Sequence, residues 1–330
     1  MATVTAPKVC IAILNWNNYD QTLACLESLA ALDYPNYHII VVDNASADES
    51  VEHIQQAHPD ITLICSETNL GYAGGNELAL QQALADGETE LFWILNNDST
   101  VRPDTLSQLV STYQQFGDAI YGGVPLSADS TPDHWMLQLT LWDYVPGSRA
   151  LYPKKIRGTY QQYFPNSEPQ VVPVVSGSTF LIPLTIVRRY GFMDTTFFLY
   201  SEESDYCLRL CKLGVKSILV PASVIFHVSG GSHRQEASLR GVIHYYQRRN
   251  RLIVLWRHST RLSYVKQLLY MLYYGVAAGI LAFRGRPGKG AESRYSFPAF
   301  FDGLLHRTGK RYAPEDYLDI PANVNSKEVS

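Results

Sequence analysis

The sequence predicts an α/β fold with a mostly parallel central sheet flanked by helices and a C-terminal helical extension. Three observations lead there. Short runs of Val, Ile and Leu alternate with segments of helical spacing over the first hundred residues. The apolar runs are continuous, as in strands buried on both faces. Polar clusters follow those runs at their C-terminal ends, the edge where open parallel sheets bind ligands.

The elements follow in order. Residues 9–14 form a buried strand that ends in Asn15-Trp16-Asn17-Asn18. Residues 21–32 place Leu23, Leu26, Leu29 and Ala30 at helical spacing. A second strand, 38–42, ends at Asp43-Asn44-Ala45-Ser46, and a helix over 50–58 leads to a third strand at 61–65. The turn Asn69-Leu70-Gly71-Tyr72-Ala73-Gly74-Gly75-Asn76 opens a helix through Leu84. A fourth strand, 90–95, ends at Asn96-Asn97-Asp98. This β-α-β-α rhythm is what a parallel sheet requires.

Between 118 and 172 the pattern is irregular and rich in Pro, Gly and aromatic residues, so loops and short strands are expected. Residues 171–182 are strand-like around Ser176-Gly177-Ser178. Residues 202–213 form an amphipathic helix stopped by Gly214, and 217–226 a strand ending at His227. Residues 262–283 are the most apolar stretch of the tail. They read as a marginal span, an interfacial helix or a helix packed on the α/β domain. The expected division is an α/β domain over 1–255 and a basic, helical, membrane-associating region over 256–330.

Composition narrows the class. A hydrophobic fraction of 46% with 18% charged residues excludes disorder beyond the ends. The net charge of −4 hides a split. Residues 1–239 carry 12 Lys+Arg against 25 Asp+Glu, and residues 240–330 carry 15 against 6. The tail therefore suits an anionic partner. Five cysteines, Cys10, Cys25, Cys65, Cys207 and Cys211, show no paired metal spacing and read as reduced core thiols. The N-terminus lacks a basic segment followed by an apolar run, so the expected location is the cytoplasm, at the inner face of the plasma membrane.

Several residues can carry chemistry. Asp43 can accept from the imide of a pyrimidine, or it closes an Asx-turn. The glycines at 71, 74 and 75 let a backbone approach phosphates at a helix N-terminus, or they make a tight turn. They are not the dinucleotide fingerprint, because they follow the third strand with a different spacing. Oxygen-bearing side chains at Asn96 and Asp98 can face one hard cation, or they cap a turn. Glu202, Glu203 and Asp205 crowd a helix start, where one carboxylate near apolar groups suits a general base; the alternative is a solvated helix start. Asp205 and Arg209 are four apart and can pair. His227 is a lone histidine that can complete a mixed oxygen and nitrogen metal site. Tyr245-Tyr246-Gln247-Arg248-Arg249-Asn250-Arg251 can bind phosphate or lie at a headgroup surface, or it is a solvated face.

Taken in order, these motifs resemble those of the inverting glycosyltransferases of family 2, which have the GT-A fold, and among them the bacterial rhamnosyltransferase-like enzymes. The residues that carry the resemblance are Ile13-Leu14-Asn15-Trp16-Asn17, Asp43-Asn44-Ala45-Ser46, Asn69 with Gly71, Gly74 and Asn76, Leu95-Asn96-Asn97-Asp98, the run from Phe198 to Arg209, and His227, with Tyr246, Arg249 and Asn250 beyond. The resemblance spans roughly residues 8 to 255. It implies that Asn15, Asp43 and Asn44 hold the nucleoside and that Gly74, Asn76, Asn96 and Asn97 lie near the donor. It implies a Mg²⁺ or Mn²⁺ ion on Asp98 and His227. Glu203 stands where the family carries its base, and Glu202 is the alternative because the pair here is Glu-Glu. Asn96 stands where the family's metal motif has its first Asp. The implied partners are a UDP- or dTDP-sugar, a glycan or lipid-linked glycan acceptor and an anionic membrane surface.

Two other readings compete. A sugar-nucleotide nucleotidyltransferase would carry a Gly-rich basic loop after the first strand, where this chain has Asn15-Trp16-Asn17-Asn18-Tyr19. A non-catalytic sugar-nucleotide sensor has no use for the Glu202-Glu203 pair. The apolar stretch at 262–283 favours lipid over nucleic acid as the partner of the basic tail.

Overall fold

The structure, a computed structural model, describes residues 6–127, 160–227, 233–283 and 289–317. These residues fall into two compact units. One contains 6–127, 160–194 and 202–227; the other contains Thr195–Ser201 and everything described from 233 on. The boundary expected at 255/256 falls inside a helix that continues to His258.

In the first unit, β1 (Val9–Asn15), β2 (Tyr37–Asp43), β3 (Thr62–Cys65) and β4 (Leu91–Asn96) run parallel in the order β3-β2-β1-β4. Their crossovers are α1 (Tyr19–Leu29), α2 (Ser50–Ala57) and α3 (Gly71–Ala85). Then come β5 (Ser99–Val101), α4 (Thr105–Phe116), β6 (Ile120–Ser127), the single turn α5 (Tyr160–Tyr163), β7 (Gln170–Val172) and β8 (Thr179–Pro183). Last are α6 (Leu184–Tyr190), α7 (Glu202–Cys211) and β9 (Ser217–His227). The sheet continues β4-β8-β6-β9-β5, with β7 also on β9. β8 is antiparallel to β4 and β6, and β5 and β7 are antiparallel to β9. The other described strands share one direction, as the sequence predicts.

Alternation along the strands builds the core. Val9, Ile11 and Ile13 of β1, with Val41, Trp93 and Leu95, face Cys25, Leu26 and Leu29 of α1 and Leu106 and Leu109 of α4. Each large apolar side chain buried this way contributes roughly 1.5–3 kcal/mol. The opposite face receives α3. A Cβ on Gly75 would stand 2.3 Å from Leu14 Cδ1, so a larger residue there would force the Leu14 side chain to move.

The sequence signal failed in two places. β6 is an eight-residue strand with all but its last residue buried, in a stretch read as loops and short strands. Its Gly122-Gly123 and Pro125 look like punctuation. In fact β9 bulges opposite Gly122 and Val124, and a Cβ on Gly123 would meet the Ser223 carbonyl oxygen at 2.5 Å. The cysteines are all free, but only Cys10, Cys25 and Cys207 are core residues; Cys65 and Cys211 are exposed.

The second unit contains a 3₁₀ turn (Thr195–Phe197), α8 (His233–His258), α9 (Arg261–Phe283), α10 (Lys289–Leu304) and a 3₁₀ turn at Pro314–Tyr317. Its core gathers Phe198, Val242, Tyr245, Tyr246, Tyr295 and Ala299. For Tyr245, Tyr246, Arg249 and Asn250 this corrects the phosphate or headgroup role considered for the segment Tyr245 to Arg251. Tyr245, Tyr246, Arg249 and Asn250 are all buried. The Arg249 guanidinium lies over the rings of Tyr245 and Tyr246, 5.4 and 4.9 Å from their centroids. It donates to Phe197 O, Gly309 O and Asn250 Oδ1. No helix among the described residues is long and apolar enough to cross a membrane. On α9, Leu262, Val265, Leu269, Leu272, Tyr273 and Val276 are exposed.

Candidate active site

Strand register brings the polar clusters to one edge of the sheet. Asn15 pairs with Asp43, Leu14 with Asn96, Leu95 with Thr179 and Ser99 with His227. The loops after β1, β2 and β4 therefore start side by side.

Asp43 is buried and organises the first two loops. Its Oδ1 accepts the Ser46 N–H at 2.9 Å. Its Oδ2 accepts Asn15 Nδ2 at 2.9 Å and the Ser46 hydroxyl at 2.6 Å. Ala45 sits at φ 63°, which turns the chain so that Ser46 can fold back. The Asn15 amide is spent on the protein: Nδ2 also reaches Ser46 Oγ, and Oδ1 accepts from Thr22 Oγ1 at 2.7 Å. Asn15 is fully buried, so it braces Asp43 from behind. The bracing extends to the β4 turn, because Asn97 Nδ2 donates to Thr22 Oγ1 at 3.0 Å.

Asn44 ties the same loop to the start of α3. It donates to Asn69 Oδ1 and Gly71 O and accepts the Leu70 N–H. Its side chain is thus used within the protein. Gly71 opens α3 at φ 73°, and a Cβ on Gly74 would press on Leu70 Cβ at 2.9 Å. Asn76 donates to Tyr72 O, while its Oδ1 is buried without a hydrogen-bond partner. A buried acceptor left open at a ligand-binding edge is what a donor group on a ligand would satisfy.

Tyr72 and Glu203 both lie beside Gly177. The Tyr72 hydroxyl donates to Gly177 O at 2.5 Å. Burial, then Glu202, Glu203 and Asp98, holds this phenol well above the ordinary tyrosine pKa. One hydroxyl thus senses all three carboxylates, from loops far apart in sequence. A Cβ on Gly177 would lie 3.2 Å from Tyr72 Oη and 3.5 Å from Glu203 Cγ, so glycine keeps that wall thin. Glu202 is 3% exposed, whereas Glu203 is half-buried, as is Asp98. α7 starts at Glu202, so the helix dipole favours these anions. Arg209 donates to Tyr190 O and Phe192 O and stacks over Tyr206, which fixes the far end of α7.

Asp43, Asp98 and Glu203 thus come to one edge. His227 ends β9 at that edge by register; its side chain lies outside the described residues. Two contributors escaped the sequence reading, Thr22 and Tyr72. Thr22 is a polar residue on the buried stripe of α1 with Cys25, Leu26 and Leu29, and that position is its signal. Tyr72 was hidden among the glycines of the α3 turn. No group of three or more His, Cys, Asp or Glu suited to a metal occurs among the described residues.

Loops of this kind on a sheet of this order are found in known enzymes. The profile of Glycosyl transferase family 2 matches residues 10–191, over half of the chain. The chain belongs to glycosyl transferase family 2. It is a transferase, and its fold is GT-A. The family 2 chain is 26% identical over 179 residues to a low-salt glycan biosynthesis hexosyltransferase of Haloferax volcanii, covering 52% of each protein. The alignment therefore spans about half of that relative's length. It is 26% identical over 238 residues to the N-acetylglucosaminyl-diphospho-decaprenol L-rhamnosyltransferase of Mycobacterium tuberculosis, covering 64% of this chain and 74% of that one. Among solved structures, a mannosyltransferase from Pyrobaculum calidifontis in complex with GDP-Man and Mn²⁺ superposes with a TM-score of 0.55 at 14% identity, over 92% of this chain and 89% of that one.

Proposed function

We propose that this family 2 enzyme moves a sugar from a UDP- or dTDP-linked donor, with a rhamnose-type sugar as one candidate, to a hydroxyl of a glycan or lipid-linked glycan in cell-surface polysaccharide synthesis, inverting the anomeric centre. The observation that carries the reading is the one sheet edge on which Asp43, the β4 turn that bears Asp98, and the Gly177 loop beside Glu203 lie together. The rhamnosyl relative, whose name specifies rhamnosyl transfer to a diphospho-decaprenol acceptor, supports the sugar and acceptor classes.

Glu203 is the base in this scheme. It is half-buried beside Gly177, whereas Glu202 is enclosed. The Glu203 carboxylate takes the proton of the acceptor hydroxyl as that oxygen attacks the anomeric carbon opposite the leaving group. The sugar–diphosphate bond breaks, and the nucleoside diphosphate leaves with the electron pair. Asp43 and its bracing fix the nucleoside end, and Asn76 Oδ1 accepts from the donor.

The oxygen chemistry at the β4 turn fits a Mg²⁺ or Mn²⁺ ion. Such ions are held by one or two carboxylates together with substrate phosphates, so a dedicated cage of protein ligands is not needed. Asp98 would hold the ion, with His227 as the further ligand that the family resemblance implies. When bound, the ion supplies neutralisation of the leaving diphosphate.

The exposed stripe of α9, flanked by Arg261 and Lys266, supports peripheral contact with an anionic membrane surface. Leu269→Glu with Tyr273→Glu should abolish flotation with anionic liposomes. Unchanged flotation would remove this part of the reading.

A panel of UDP-, dTDP- and GDP-sugars with Mn²⁺ and acceptor glycans tests the central claim. The expected result is nucleoside diphosphate release from a UDP- or dTDP-sugar. Donor binding without release, with acceptors present, would instead identify a non-catalytic sensor.

A further inference from the structure

Thr22 is fully buried on α1, yet it is polar on both sides. Its hydroxyl donates to Asn15 Oδ1 at 2.7 Å, with the Asn18 carbonyl oxygen a longer alternative acceptor at 3.2 Å, and its oxygen accepts Asn97 Nδ2 at 3.0 Å. Asn15 in turn donates to Asp43 Oδ2 at 2.9 Å. The three bonds form one directional chain, Asn97 to Thr22 to Asn15, then Asn15 to Asp43. It joins the ends of β4, β1 and β2 through a side chain that is itself fully buried. Hydrogen bonds in such a chain polarise one another, and breaking one strands its neighbours in a dry interior. Asn97 lies between Asn96 and Asp98 in the turn, so whatever fixes its amide fixes the backbone that presents Asp98.

We propose that Thr22 is a positioning residue that sets Asp98 at a fixed separation from Asp43, so that the base and diphosphate of a donor nucleotide are gripped in one register. This rests on the donor-binding reading above. The strand register of β1, β2 and β4 ends at Asn15, Asp43 and Asn96, with one further backbone bond from the Asn44 N–H to Asn15 O at 2.9 Å. Beyond those residues the Thr22 chain ties the β4 turn to Asp43. A valine of nearly the same shape would fill the volume and leave Asn97 Nδ2 and Asn15 Oδ1 without this partner.

The test uses the full chain with UDP, dTDP and GDP, titrated with and without MnCl₂ by calorimetry. Thr22→Val should weaken Mn²⁺-dependent binding about tenfold, equivalent to roughly 1.4 kcal/mol. Thr22→Ser, which keeps the hydroxyl, should stay within about twofold of wild type if the chain of bonds is what matters. Asn97→Ala breaks the same link from the other end and should match Thr22→Val, which covers the case where the valine variant folds poorly. In an Asp98→Asn background, Thr22→Val should cost less than about twofold, because the group it positions is already disabled. Penalties that multiply, or a valine variant that binds like wild type, overturn the proposal. A wild-type chain that binds none of the three nucleotides overturns the donor reading itself and this inference with it.

Discussion

Two buried polar clusters look alike and do different work. In the first unit, Asp43, Asn15 and Thr22 are enclosed and hydrogen-bonded to one another, and they end at half-buried Asn97 beside Asp98. In the second, Arg249 and Asn250 are equally enclosed, and they end on backbone carbonyls. Asn250 Nδ2 lies within reach of the carbonyls of Phe197, Leu199 and Tyr200, and Arg249 takes Phe197 O and Gly309 O. That clamp holds a loop in which Phe198, Tyr200 and Ser201 all have positive φ, a conformation that non-glycine residues adopt only when their surroundings enforce it. Both clusters belong to motifs that resemble the family. A polar motif is a site when its chain of bonds reaches accessible side chains, and a fastener when it closes on the backbone.

The comparison breaks most visibly at Glu203. Glu203→Gln should lower turnover by at least 10²-fold while leaving nucleoside diphosphate binding near wild type, as expected for removal of a general base. Glu202→Gln should cost less in turnover and more in stability, since its carboxylate is enclosed. Steady-state release assays beside calorimetric binding check both. Equal turnover losses for the two variants would dissolve the distinction drawn from exposure. The next largest effect belongs to the fastener. Arg249→Met leaves buried Asn250 Oδ1 and part-buried Gly309 O without this donor and removes the Arg249 bond to Phe197 O, and an unsatisfied buried acceptor costs about 1–3 kcal/mol. Urea unfolding should show a loss of roughly 3 kcal/mol. Folded molecules should bind nucleotide as before; a large loss of affinity would make Arg249 part of the site.

Much of this was legible in the sequence, and physical reasons mark where it stopped. The buried strands β1, β2 and β4 announce themselves as unbroken apolar runs, and a parallel sheet then places Asn15, Asp43 and Asn96 on one edge. The pairing of those ends is a consequence of register, so the edge could be read without coordinates. Side-chain direction could not. Asn15 and Asn44 sit at that edge, yet they turn inward to hold loops, because a buried amide must find partners and the nearest are within the protein. Thr22 and Tyr72 were missed for the converse reason: one sits in an apolar stripe, the other among glycines, and only contacts across 75 and 105 residues reveal them. β6 was obscured because its glycines serve a close approach to β9 that has no local signature.

The smallest effect is the most diagnostic of the site's wall. Tyr72→Phe removes the donor to Gly177 O, and losing this part-buried hydrogen bond costs about 1 kcal/mol. The phenol is held well above its ordinary pKa, chiefly by burial and then by Glu202, Glu203 and Asp98. A group whose folded pKa is raised contributes stability that is full below its unfolded value near 10 and declines as pH rises past it. The wild-type chain should therefore lose stability above about pH 10. Other buried tyrosines, Tyr121, Tyr206 and Tyr245 among them, are raised in the same direction and share that slope. Tyr72→Phe should be less stable near neutral pH but fall less steeply above pH 10, so the two curves converge. Parallel curves would mean that the phenol is not raised in the folded chain, and the enclosure of its hydroxyl at Gly177 would lose its support.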